Sequence, residues 1–477
     1  MSEIAAAAPK GNGRLAGMLK NASASLIGNI LSIPLQFLGF IIAARSLGPA
    51  VFGQYSFAQE LTLFVIYAAD GGLNIIVTRE IARDRARAGV VHATVLKLKV
   101  GLSAVCYMTI LGVGLVLSDG EQTFAAVAIL GLANIMLSYV LTAYGVFRGC
   151  ERMVWEGVAG LLQPVCFCLF TAFVAYSGVV HSGLLPMALA RLGSYVPVVA
   201  LVFIVSLRLA PLSRTTAPGA GREFLRQGLP IALLMFVFDA LLRCSVLFLQ
   251  AWATSIDLSM FTVASRIVYS LWLIPYILAG AWLPVMARCA AGRDEAGYAQ
   301  HLMRLVRLLC IAAAPLTVML YLAAEPVILL LFGPDYRAAA GVLRVLALVI
   351  PFLFLYFGMK TSLEARNRQR PLYAIVLLGL VAALGANAWF VGGGMGAQGA
   401  AWAYFCGLSA STVLGYMLIV HDVSWGTFVL SLVRVGAAAA VAGVTLHLLL
   451  PGVLLLALAV SGTAYLASLF LLGELHM

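Results

Sequence analysis

The stretch ASASLIGNILSIPLQFLGFIIAARSLGPAVFGQYSFAQELTLFVIYAADGGLNIIVTREIARDRAR, residues 22–87, decides the fold. It contains two apolar runs, 22–44 and 51–75. Each is near the roughly 20 residues a helix needs to cross the hydrocarbon core of a bilayer. The gap between them carries only Arg45, whereas the gap after the second carries Arg79, Arg83, Arg85 and Arg87. Basic residues collect on the cytoplasmic side of a membrane. The first run therefore leaves the cytoplasm and the second returns to it.

The same alternation continues to the end of the chain. Further apolar runs lie at about 92–117, 123–147, 154–178, 184–207, 228–251, 258–285, 305–331, 338–358, 372–391, 397–419, 428–449 and 453–472, fourteen in all. Of the 30 basic residues, 23 fall in the gaps assigned to the cytoplasm or in the first turns of helices entering from that side, among them Lys97 and Lys99. Only Arg45 and Arg337 fall in the opposite gaps. Both termini are then expected in the cytoplasm, as in a multi-pass protein of the bacterial inner membrane. A composition 63% hydrophobic and 10% charged agrees, because no soluble chain of 477 residues could cover such a core. The net charge of +11 is explained by this topology and calls for no nucleic acid. Cys166 and Cys168 point from different helix faces and the six histidines are scattered, so no metal site is expected.

The longest cytoplasmic gap, 208–227, is rich in Pro, Gly and Arg and reads as a linker. It divides a tail (1–21) and an N-terminal lobe of six helices (22–207) from a C-terminal lobe of six (228–420), with helices 13 and 14 in 421–477. Self-comparison supports two repeats: Phe52–Ala58 aligns with Leu258–Ala264 at an offset of 206, and Ile81–Arg83 with Met286–Arg288 at 205. Six helices per repeat give both lobes one orientation, related by a pseudo-twofold axis along the membrane normal. Transporters place substrate at such an interface. The gaps opposite the cytoplasm are short and no Walker A loop is present. That argues against an ATP-driven pump and against an enzyme, in particular a polymerase or ligase of glycan assembly.

Several motifs resemble those of polysaccharide repeat-unit flippases, which serve O-antigen and exopolysaccharide synthesis. That group is the polysaccharide-transporter branch of the multidrug/oligosaccharidyl-lipid/polysaccharide exporter superfamily. The motifs are Ala44-Arg45-Ser46-Leu47-Gly48-Pro49 with Phe52-Gly53 and Tyr55, then Ala69-Asp70-Gly71-Gly72-Leu73-Asn74 leading into Arg79-Glu80-Ile81-Ala82-Arg83. Phe147-Arg148-Gly149 with Glu151-Arg152, Leu331-Phe332-Gly333-Pro334 with Tyr336, and Gly396-Ala397 with Gly399-Ala400-Ala401 add to them. Gly71 departs from the pattern, where a larger apolar residue is usual. The resemblance implies two six-helix lobes around a central cavity with alternating access. It implies as substrate an oligosaccharide on undecaprenyl diphosphate, with membrane lipids, a polysaccharide polymerase and a chain-length regulator as further partners.

A diphosphate crossing hydrocarbon needs cationic partners, and arginine supplies a fork that stays charged. Arg243, Arg266, Arg191 and Arg344 lie within spans, where charge is costly unless it faces protein or water, and are the candidate substrate ligands. Glu60, Asp239 and Asp70 are the candidate gate or ion-coupling acids. Asp239 and Arg243 stand at i and i+4 on one helix face, and a local ion pair competes there with a switch. Glu60 and Arg266 occupy equivalent repeat positions, an arrangement that would suit an outer gate. Prolines within spans, among them Pro315 and Pro351, are expected to kink their helices, with Pro34 and Pro275 the preferred hinges. No cofactor is expected; coupling to H+ or Na+ is left open by the residues. The rival readings are an ion-coupled multidrug exporter and a peptidoglycan-precursor flippase of the same superfamily.

Overall fold

A lipid-embedded backbone must satisfy every N–H and C=O internally, which leaves the helix as the natural form for these runs. The computed structural model describes residues 11–64, 66, 70–178, 183–213, 219–419, 425–449 and 454–472, and among these there are helices and no strands. Residues 1–10 of the expected tail, 214–218 of the expected linker, and 421–424 and 473–477 of the C-terminal segment lie outside the described residues. We number the helices α1 (Gly11–Phe64), α2 (Leu73–Arg83), α3 (Ala88–Leu117), α4 (Glu121–Gly149), α5 (Val154–Tyr176), α6 (Leu184–Leu209), α7 (Ala220–Trp252), α8 (Ser255–Ser270) and α9 (Leu273–Ala291). There follow α10 (Glu295–Leu322), α11 (Ala324–Phe332), α12 (Ala339–Ala347), α13 (Ile350–Ala365), α14 (Gln369–Phe390), α15 (Gly396–Leu418), α16 (Trp425–Leu449) and α17 (Leu454–Leu471).

Eleven stretches among the described residues are long and apolar enough to cross a membrane. Two of them, Ile30–Phe64 with 35 residues and Arg370–Leu418 with 49, each contain two of the expected apolar runs. Each is interrupted at glycine with positive φ: Gly48 at 71° in the first, Gly394 at 85° and Gly396 at 50° in the second. Glycine is the residue that takes this backbone form without a steric cost. Divided there, and with the shorter apolar Leu456–Leu471 added, the stretches give the fourteen crossings of the hydropathy pattern.

Four expected continuous spans are broken, 305–331 among them, which breaks at Ala323. The run 51–75 stops at Gly71 and Gly72, with φ of 60° and 68°, because consecutive left-handed residues cannot continue a right-handed helix. A Cβ on Gly72 would lie 2.6 Å from the Gly228 carbonyl oxygen, so the break is also a point of close backbone approach. The run 258–285 breaks at Leu271 and Trp272, and Pro275 sits in the first turn of α9. The run 338–358 breaks at Leu348 and Val349, and Pro351 begins α13. In a first turn the missing proline N–H has no intrahelical partner to lose, so Pro275 and Pro351 start helices and do not kink them. Pro315 is inside α10, and Pro34 is inside α1 and exposed.

The chain forms two compact units, one of Met1–Leu47 and Ala58–Phe236, the other of Gly48–Phe57 and Val237–Met477. The first unit's core has two clusters. Leu73, Val77 and Ile81 of α2 pack with Val91, Val95 and Val146, and Val140 and Phe147 of α4 pack with Ala159, Val198 and Val202. Thr78 Oγ1 joins α2 to α4 by donating to the carbonyls of Asn74 (2.9 Å) and Gly145 (3.2 Å). In the second unit α14 packs along α15, and the hairpin α16–α17 packs on α10 through Val435, Ala438, Ala439, Ala442, Tyr465 and Leu469. Tyr336 lies in the loop after α11, its ring edge-on to Phe52 at 6.2 Å, and burial pushes its phenol above the ordinary range.

Candidate functional site

The sequence-predicted residues divide between the units. Pro34, Glu60, Asp70 and Arg191 belong to the first, and Asp239, Arg243, Arg266, Pro275 and Arg344 to the second.

In the second unit, α7 places Asp239 and Arg243 one turn apart. Arg243 Nε donates to Asp239 Oδ1 at 2.8 Å, with 18% and 7% of the two side chains exposed. The expected local pair is therefore made. Asp239 keeps capacity: its Oδ2 is buried and has no hydrogen-bond partner among the described residues. A buried carboxylate oxygen without a donor is costly, and this one is able to accept a proton or a small cation. Arg266 of α8 is half-buried and near enough to Arg243 for the two positive charges to act on each other. Tyr269, one turn after Arg266, donates its hydroxyl to the Leu242 carbonyl at 2.6 Å and meets the Tyr404 ring edge-on at 6.0 Å. Two guanidiniums, one carboxylate and two tyrosine rings are thus gathered around α7 and α8. Arg344, by contrast, is exposed on α12.

In the first unit, Arg191 is only 7% exposed. Its guanidinium lies 4.5 Å from the Phe167 ring centroid and 5.4 Å from that of Tyr195, and Nη2 reaches the Tyr195 hydroxyl at 3.3 Å. Its Nε is buried with no hydrogen-bond partner, and it makes no ion pair among the described residues. The neighbouring turn is polar, with Gln163 Nε2 donating to Ser194 Oγ at 3.1 Å. Arginine stacked on aromatic faces is stabilised by the ring quadrupole. That does not replace a counter-charge.

Asp70, at the glycine break, is held by a partner that sequence reading did not assign. Lys99 Nζ lies 2.9 Å from Asp70 Oδ1, and Lys99 is fully buried. Lys99 was expected in the first turn of its span, but α3 begins at Ala88, which puts it three turns into the helix. A lysine that deep in an apolar run, with an acid at the end of the preceding span, was the available signal. Glu60 is buried as well. Glu156 accepts a bidentate contact from Arg148, at 2.5 and 2.9 Å, which fixes the turn between α4 and α5. Among the described residues no cluster of His, Cys, Asp or Glu has the makings of a metal site.

Residues 18–290, more than half the chain, match the sequence profile of the family described as polysaccharide biosynthesis protein. The chain belongs to that family. Residues 230–389 also match the MatE profile. The polysaccharide biosynthesis family member shares its fold with solved membrane transporters. The inward closed conformation of the lipid II flippase MurJ is similar with a TM-score of 0.74 and 14% identity, over 94% of this chain and 98% of that one. An inward-facing multidrug resistance MATE family transporter of the MOP superfamily matches with a TM-score of 0.66 and 15% identity, over 82% and 94%. A MOP superfamily transporter from Pyrococcus furiosus, described as having a binding pocket of reverse polarity, matches at 0.60 and 15%, over 85% and 95%. No curated protein matches the sequence.

Proposed function

We propose that this member of the polysaccharide biosynthesis family is a flippase. It would move an oligosaccharide repeat unit on undecaprenyl diphosphate across the bacterial inner membrane by alternating access, for cell-surface polysaccharide. The observation that carries this reading is the family match over residues 18–290 in a chain with a transporter fold. The charge of the interior supports it. Arg191 is buried with no ion pair among the described residues, and Arg243 and Arg266 place two guanidiniums close together. Guanidiniums suit a diphosphate, whereas an exporter of organic cations needs acids or aromatic rings at its site.

In this proposal Arg243, Arg266 and Arg191 bind the diphosphate and Arg344 is peripheral. Asp239, through its unpartnered Oδ2, is the acid assigned to coupling with H+ or Na+. Both termini and the arginine-rich gaps face the cytoplasm. Proteoliposomes test the reading: fluorescent undecaprenyl-diphosphate oligosaccharide should cross, and its accessibility to an external reagent should report the rate. Movement of the peptidoglycan precursor but not of the oligosaccharide would transfer the assignment to a precursor flippase. Export of a cationic dye alone would transfer it to a drug exporter.

A further inference from the structure

The turn between α13 and α14 carries Arg366, Arg368 and Arg370, and their surroundings differ. Arg366 is committed. Its Nη2 donates to Glu295 Oε2 at 2.6 Å, and its guanidinium lies 4.1 Å from the Tyr298 ring centroid. Tyr298 is in turn fixed by its hydroxyl, which donates to the Ser362 carbonyl at 3.0 Å. Arg368 and Arg370 are exposed and make no ion pair among the described residues. Together with Asn367 and Pro371 they line a cavity of about 580 Å³.

Basic residues that only set topology need no shared cavity. Among the described residues the lining side chains hold two guanidiniums, one amide and no carboxylate. Each guanidinium presents five N–H donors in a rigid fork matched to the oxygens of a phosphate. The cavity is far larger than the volume of about 30 Å³ that a water occupies, so a phosphate with an attached polar group fits in it. It lies in the turn between the apolar stretches Ala339–Ala365 and Arg370–Leu418, where a spanning chain meets the headgroup region.

We propose that this pocket binds a phosphate group, carried either by an anionic phospholipid headgroup or by a small soluble phosphate. The site is separate from Arg191, Arg243 and Arg266 and does not depend on the transported substrate. It lies on the side that the basic-residue bias assigns to the cytoplasm.

The test uses the purified full-length protein in phosphatidylcholine nanodiscs. Radiolabelled phosphatidylglycerol is measured as lipid retained per protein, and inorganic pyrophosphate by equilibrium dialysis. Wild type should bind at least one of the two saturably. Arg368→Gln with Arg370→Gln should weaken that binding about tenfold, and the double lysine variant should weaken it less. A second pair, Arg83→Gln with Arg87→Gln, removes equal charge from another exposed basic segment and should leave the binding intact. Retention of phosphatidylglycerol alone identifies a headgroup site, and pyrophosphate binding alone a soluble ligand. Equal losses in both charge-removal pairs would show a diffuse surface effect and overturn the proposal, as would no loss in the pocket variants. All these side chains are exposed, so the fold should survive, and unchanged melting curves check this.

Discussion

Lys99 Nζ and Asp70 Oδ1 are 2.9 Å apart, and neither side chain is more than 5% exposed. Asp70 ends one helical segment at Gly71 and Gly72, and Lys99 anchors it to α3. Breaking a buried pair leaves an uncompensated charge, which costs about 3–5 kcal/mol, whereas replacing both partners costs little. Asp70→Asn and Lys99→Met should each lower stability by an amount of that order. The double variant should recover most of it. Detergent melting curves for the three proteins decide this, and a double variant as unstable as either single one would contradict it.

The Gly72 position should tolerate alanine poorly. Its φ of 68° costs a non-glycine residue about 1–3 kcal/mol, and the added Cβ would also press on the Gly228 carbonyl. Gly178 has the same φ of 68° but nothing within 4 Å of a built Cβ. Gly72→Ala should therefore lose more stability than Gly178→Ala, and comparison of their melting temperatures measures the contact apart from the backbone strain.

Arg191 separates stability from function. A buried cation with no acid partner among the described residues is a cost to the fold, so Arg191→Met should melt at or above the wild-type temperature. If Arg191 binds a diphosphate, the same variant should transport about tenfold more slowly. A variant that is both stable and fully active would remove Arg191 from substrate binding.

Arg243→Lys should keep part of the transport activity and Arg243→Ala little, because lysine retains charge but not the fork. Asp239→Asn keeps the contact to Arg243 in part and removes the titratable oxygen. Transport by this variant should lose its dependence on an imposed H+ or Na+ gradient. Gradient dependence identical to wild type would exclude Asp239 from coupling.

The topology is open to direct measurement. Ser118→Cys, between α3 and α4, should react with an impermeant thiol reagent from outside cells, and a cysteine at Arg152 should not. The reverse pattern would invert the orientation.

Hydropathy and the placement of arginine made the number of crossings legible, since both follow from the solvent and not from packing. The i, i+4 pairing of Asp239 with Arg243 was legible for the same kind of reason, because it is local to one helix face. The partner of Asp70 was not. Lys99 lies 29 residues away in the chain, and only the packing of α3 against the glycine break brings the two together. Gly71 was visible as a departure from its motif, but the approach of Gly228 to the break involves residues far apart in sequence. Pro275 and Pro351 look alike to Pro315 in sequence. Their positions in first turns depend on where the preceding helix stops.

The hairpin α16–α17 meets α10 through Ala438, Ala439 and Ala442, and Tyr465 donates to the Ile311 carbonyl at 2.7 Å. In a membrane the surface it covers is as content against lipid tails as against protein, because no hydrophobic effect drives helices together there. Losing the hairpin would uncover apolar side chains such as Val318 to lipid and forfeit packing and one hydrogen bond. The hairpin is thus held by close packing and a hydrogen bond, with no gain from leaving water to hold it there.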